Sequence, residues 1–181
     1  MSVILKIMIN EKPVFAELFG LVLFDLKNLA RFKQQQALGQ DLLVALTTTD
    51  LGTQVSENGV AIPIGGIAGE YYHIAITNTL TDDGYLTENQ IIIRSKGWLL
   101  ESVSGEVIVC GIGYLKQFDE DFFVSTDKFP RLPITRGWNE IEIVGGNDEN
   151  ERPVYELLTK PVSTKPVFSG NFEDSFDFIT D

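Results

Sequence analysis

The sequence predicts a mainly β fold, an antiparallel two-sheet β-sandwich with one short helix near residues 26–38. About ten short runs are rich in Val, Ile, Leu, Tyr and Phe, and the clearest alternate apolar with polar residues, the period-2 pattern of a strand buried on one face. Gly, Pro, Asn and Asp punctuate these runs at the short intervals of hairpin and sandwich connections. A chain of 181 residues can bury a self-sufficient core, and 44% hydrophobic against 22% charged residues is the balance of a folded chain.

Val3, Leu5, Ile7 and Ile9 alternate with Ile4, Lys6 and Met8, predicting an opening strand that stops at the turn Asn10 to Pro13. Val14 to Leu38 supports two readings. Phe15, Leu18, Phe19, Val22, Leu26, Leu29 and Ala30 sit at helical spacing, yet Phe19 to Phe24 is an equally good buried strand and Gly20 weakens a helix interior. The division taken is a strand over 14–24 and a short helix over 26–38 ended by Gly39; one helix through the whole stretch would make the fold α+β. Asp41 to Thr49 reads as a strand because Leu42 to Leu46 runs into three threonines. Strands follow at Val60 to Ile64 and at Tyr71 to Asn78, the latter with Tyr72, Ile74 and Ile76 on one face. Further strands are expected at 91–94, 98–103, 106–115, 122–125, 138–144 and 154–158. In the 138–144 strand Ile141 and Ile143 alternate with Glu140 and Glu142.

Residues 1–160 make up a single sandwich domain on this reading. From Pro161 the composition shifts to a Pro-containing linker and an acidic tail, 161–181, whose Phe168, Phe172, Phe176 and Phe178 could dock it on the body. The first residues lack a cleavage site and read as a strand, not a signal peptide. The apolar run Val14 to Leu26 holds Glu17 and Asp25 and falls short of the ~20 residues that cross a bilayer. The lone cysteine, Cys110, allows no intrachain disulfide, and the protein reads as cytoplasmic.

Twenty-six acidic against 14 basic residues give a formal net charge of −12. Such a charge repels phosphate backbones and anionic membranes, which disfavours direct nucleic-acid or membrane binding. Cys110 lies in an apolar run with no tuning neighbour, so it reads as a core residue, and one histidine, His73, cannot build a usual zinc site. Gly65 to Glu70 is glycine-rich but has no P-loop lysine and precedes a strand. No cofactor is expected, and no enzymatic activity.

Leu132-Pro133, Arg136-Gly137-Trp138, the alternating strand and the polar loop before Pro153 to Leu158 resemble the C-terminal strand pair of competence-protein J-type nuclease inhibitors and polymorphic-toxin immunity proteins. In that pattern an aromatic stands two places after the glycine, whereas this chain has Asn139 there and its aromatic at Trp138. The resemblance covers about 25 residues. It implies a small β-sandwich inhibitor, not an enzyme, whose acidic edge occupies the basic nucleic-acid site of a toxin or nuclease.

Charge independently suggests a binding module for a basic protein partner. The candidate contacts are Asp119, Glu120, Asp121, Glu140, Glu142, Asp148, Glu149 and Glu151, with Trp138, Phe118 and Phe122 as anchors. Two alternatives stand beside it. One is a calcium- or carbohydrate-binding sandwich, with the 147–151 loop as the ion site and Trp98, Trp138 or Tyr71 as stacking residues. The other is a carboxylate-dependent hydrolase using Asp119, Glu120 or Asp121.

Overall fold

The computed structural model describes residues 8–180, so residues 3–7 of the expected opening strand lie outside the described residues. The chain builds two sheets and a helical layer. The larger sheet has the order β1 (Met8–Ile9), β5 (Tyr71–Asn78), β10 (Pro153–Val162), β9 (Gly137–Asn147), β6 (Ile91–Ser102), with β2 (Val14–Phe15) also paired to β5. The smaller has the order β4 (Ala61–Gly65), β3 (Gly20–Phe24), β7 (Glu106–Gly111), β8 (Arg131–Pro133). Pro63 in β4 and Pro133 in β8 sit in the edge strands of this sheet, where a missing N–H costs no ladder bond.

Alternation sorts the side chains into layers. Leu21, Leu23, Ile62, Ile64, Val107 and Val109 face Tyr72, Ile74, Ile141, Ile143, Tyr155 and Leu157 across the sandwich. Their neighbours Val22, Phe24, Ile108 and Cys110 point the other way, onto α1 (Leu26–Gln35), α2 (Leu42–Thr48), α3 (Leu51–Glu57) and α4 (Glu120–Ser125), meeting Leu29, Leu42, Val55 and Phe123. The smaller sheet is thus apolar on both faces, which explains why β3 reads as an unbroken hydrophobic run.

Two buried carboxylates hold the connections to this frame. Asp25 caps α1 through the Asn28 amide at 3.1 Å. Its other oxygen accepts from the Ser102 hydroxyl and from the amides of Val103 and Ser104 at 2.8–2.9 Å, fixing the β6–β7 connection where the chain crosses from the larger sheet to the smaller. Glu156, fully buried on the outer face of the larger sheet, accepts from the Thr77 hydroxyl at 2.7 Å and from the amides of Tyr85 and Leu86 at 2.5 and 2.9 Å. It pins the β5–β6 connection over Ala75, Val144 and Val154.

Residues 163–180 wrap the edge of β6. At Gly97, whose φ of +86° needs glycine, the β6 carbonyl accepts from the Ser169 amide at 3.1 Å. Beyond it Phe168, Phe172 and Phe176 surround Trp98, while Phe178 packs on Tyr72 and Tyr155. The Tyr155 hydroxyl donates to the Phe176 carbonyl at 2.7 Å. Phe176 and Phe178 are buried members of the inter-sheet core.

Two packed sheets are present as expected, but the fold is mixed α/β rather than mainly β, with α2, α3 and α4 beside the one expected helix, and it is not a purely antiparallel sandwich. β10 lies parallel to β5, because the chain passes through β6 to β9 before returning beside it, so the larger sheet is mixed. The stretch Asp41 to Thr49 is helix α2. Asp41 caps it through the Val44 amide at 3.0 Å, and Thr47, Thr48 and Thr49 bond back to the carbonyls of Leu43, Val44 and Ala45 at 2.5–2.6 Å, giving strand-prone residues a helical partner. Residues 122–125 lie in helix α4, capped by Asp119 on the Asp121 amide at 3.0 Å. The expected strands over 14–24 and 106–115 are also interrupted, by 3-10 turns at Glu17–Phe19 and Ile112–Gln117. The helix expected at 26–38 is α1. It ends in a left-handed turn at Ala37, where the Leu38 amide reaches the Lys33 carbonyl, two residues before Gly39.

Candidate functional site

The acidic residues named from sequence are held by three different parts of the frame. Trp138, Glu140 and Glu142 share the outer face of β9, since Asn139, Ile141 and Ile143 alternate inward. There Glu142 is 2.6 Å from Arg94 and Glu140 is 3.7 Å from Lys160, so the fold supplies each with its own cation. Trp138 is half-buried against Gly59, with the Lys165 ammonium 5.7 Å from its ring. The aromatic of the resembled pattern would fall at the inward position, where Asn139 instead donates to the carbonyls of Thr135 and Gly137. A one-place shift moves a strand residue to the opposite face.

The β9–β10 loop lies at the other end of β9, roughly 30 Å along the strand from Trp138. Asp148 is buried in it. One oxygen accepts from the amides of Asn150 and Arg152, the other from the Arg152 guanidinium at 2.7 Å and the Tyr85 hydroxyl at 2.9 Å. Burial acts to raise the Asp148 carboxyl, but the hydrogen bonds from Arg152, Tyr85 and Asn150 prevail and hold it at about 2. Only Glu149 and Glu151 of this group project outward. Among the described residues no three His, Cys, Asp or Glu side chains gather as a metal site.

Asp119, Glu120 and Asp121 stand at the start of α4, on the far side of the smaller sheet from β9. All three are exposed, and none forms an ion pair among the described residues. Phe118, expected as an anchor, is 2% exposed and packs edge-on against Phe24, so it belongs to the core. Phe122 and Val124 do reach the surface. Phe122 stacks on Tyr114 at 6.3 Å between ring centroids, and with Glu17, Asp41, Lys116 and Asp119 they line an open cleft of about 890 Å³. The Lys128 ammonium donates to the Tyr114 hydroxyl. That hydrogen bond pushes the ammonium up, and the fields of Glu17 and Tyr71 add to the effect.

The α4 triad is therefore the member of the sequence-named set that joins exposed acids to exposed aromatics. Tyr114, Glu17 and Asp41 belong to the same cleft and were not legible as such. Asp41, expected in a strand, instead caps α2, and Glu17 and Tyr114 come to the cleft through the 3-10 turns that interrupt the expected strands over 14–24 and 106–115. Of the stacking residues named for a carbohydrate site, Trp98 is 2% exposed with its indole N–H on Ser95 at 2.7 Å; Cys110 is buried in the core, and burial pushes its thiol up. No helix among the described residues is long and apolar enough to cross a membrane.

No protein-family model matches the chain, and no curated protein matches it. Among solved structures it is similar to ComJ from Bacillus subtilis, described as an inhibitor of the DNA degrading activity of NucA. The TM-score is 0.46 at 11% sequence identity, over 86% of this chain and 99% of that one. The likeness to that inhibitor, of the type the sequence resembles, is a weak structural resemblance only.

Proposed function

We propose that this protein is a non-enzymatic binding module for a basic protein, an inhibitor or immunity protein that covers the cationic, phosphate-binding cleft of a nuclease or toxin. The observation that carries the reading is the α4 end, where Asp119, Glu120 and Asp121 lie exposed, with no ion pair among the described residues, beside Phe122, Val124 and Tyr114. Acids of this kind accelerate encounter with a basic surface, and desolvated aromatics at the centre of a contact hold it. The net charge of −12 supplies the long-range attraction. Glu140, Glu142 and Asp148 have cations of their own and contribute less to it.

The partner is identified by affinity capture from the native host, and association is followed at increasing salt. The on-rate should fall steeply from low to physiological ionic strength, because the Debye length shrinks to about 8 Å at 0.15 M. Glu120→Gln with Asp121→Asn should lower it further while leaving the dissociation rate nearly unchanged. A partner whose association ignores both salt and these changes would falsify the reading.

A further inference from the structure

We infer that the anchor of this contact is an aromatic knuckle formed by Phe15, Leu18, Phe19 and Tyr71, which inserts into an apolar pocket rimmed by Lys or Arg on the basic partner. The inference rests on the reading above and specifies which side chains carry the affinity.

Four large apolar side chains are exposed together here: Phe15 at 40%, Leu18 at 56%, Phe19 at 67% and Tyr71 at 59%. The Phe15 and Tyr71 rings lie 5.1 Å apart, and the Phe19 ring lies over Gly69, in the connection leading to Tyr71. Scattered exposed apolar residues need no account, but a contiguous cluster rimmed by polar groups marks a contact surface. The backbone presents it at a cost. Leu18 and Phe19 have φ of 55° and 58°, the left-handed region that bulky residues avoid, while Ala16 between them and Phe15 is buried. The Ile67 amide on the Phe19 carbonyl at 3.2 Å and the Ala16 amide on the Glu70 carbonyl at 3.0 Å hold the turn in that shape. Glycine would relieve the strain, yet two of the largest apolar side chains stand there facing water.

The charges choose the occupant. Glu17 and Glu70 flank the knuckle in sequence, and Glu17 joins it to the α4 cleft, which it lines with Asp119 beside Glu120 and Asp121 in the first turn of α4; the Lys128 ammonium donates to Tyr114 of the same cleft. Five acids against Lys128 and Lys116 leave the rim negative. A second copy of the chain would bring the same rim and another −12 charges against it. A basic surface complements it. Because the knuckle is convex, the partner's apolar site is concave.

The test places a photo-crosslinking phenylalanine analogue, one position at a time, at Phe19, at Glu120 and at Ile92, an exposed apolar residue on β6, in cells of the native host. The expected result is an adduct from positions 19 and 120, but not 92, with a protein of pI above about 9. In the purified pair Phe19→Gly should weaken affinity by about tenfold or more, as loss of an anchor does, while the melting temperature holds or rises because the left-handed position accepts glycine. An adduct with a basic protein at 120 but not 19 overturns the knuckle and leaves the functional reading standing. An adduct with an acidic protein or with a second copy overturns the inference, and silence at 19 and 120 alike overturns both readings. Unchanged affinity in Phe19→Gly overturns the inference as well.

Discussion

Two clusters of aromatic residues stand at the margins of the sandwich, and only one of them is covered. Around Trp98 and Tyr155 the chain's own C-terminal strap lays down Phe168, Phe172, Phe176 and Phe178, and the Tyr155 hydroxyl and the Gly97 carbonyl fasten it. Around Phe15 and Tyr71 nothing among the described residues does the same, and the rings face solvent with acids beside them. Removing a given apolar area from water gains about 25 cal/mol per Å² in either place. In the first cluster that gain stabilises the fold; in the second it is available to a partner. Composition is the same in both, so aromatic content alone does not distinguish core from interface.

The contrast can be broken most sharply by truncating one ring from each cluster. Phe176→Ala should destabilise the protein by about 3–5 kcal/mol, since the ring is 5% exposed and leaves a hole beside Trp98. Phe19→Ser, at 67% exposure, should change stability by less than about 0.5 kcal/mol. Urea denaturation of the two variants checks both numbers. Equal effects would mean that the knuckle is part of the core and the contrast is false.

Much of the frame is legible from alternation. Tyr71 to Asn78 has the bounds read from sequence, and Ile141 and Ile143 face inward opposite Glu140 and Glu142 as their spacing requires. The reading fails where local hydrogen bonds override propensity. Asp41 and Asp119 are helix caps, and a cap needs only one side-chain oxygen in the right place, a signal easily lost beside β-branched Val44 and the threonines. The site was half legible: α4's acids could be named, but not their meeting with Glu17, Asp41 and Tyr114, which is made by tertiary placement. Nothing in the residue types Leu18-Phe19 announces a left-handed turn, so the knuckle read as a strand. The tail's phenylalanines gave a usable hint of docking, and the structure supplies the partner rings.

A similar contrast divides the carboxylates, and acid titration sharpens it. Asp148 is held at about 2, below its ordinary value near 4, chiefly by Arg152 once burial is overcome. A carboxylate lowered by folding stabilises the native state above about pH 4, and that contribution is lost as pH falls toward 2. Asp148→Asn should therefore cost about 1–3 kcal/mol at pH 7, with the gap from the parent protein closing between pH 4 and 2. Denaturant midpoints of the pair across that range measure it. A gap constant with pH would show that the Asp148 charge is not what holds the loop.

The smallest expected effect belongs to Glu140, and it separates paired from unpaired acid on a single readout. Its carboxylate lies 3.7 Å from Lys160 with both side chains about half exposed, the geometry in which an ion pair contributes less than about 0.5 kcal/mol. Glu140→Gln should leave the denaturation midpoint almost where it was. It also leaves Lys160 without its counter-ion, and the local field on the outer face of β9 becomes more positive. If a basic partner docked on that face, association would slow as much as with Glu120→Gln. If the partner docks at the α4 end, two sheets away, the on-rate stays near that of the parent, because charges farther apart than a Debye length are largely screened. Measuring both single variants against the same partner at 0.15 M salt decides which acidic face meets it, with neither change large enough to disturb the fold.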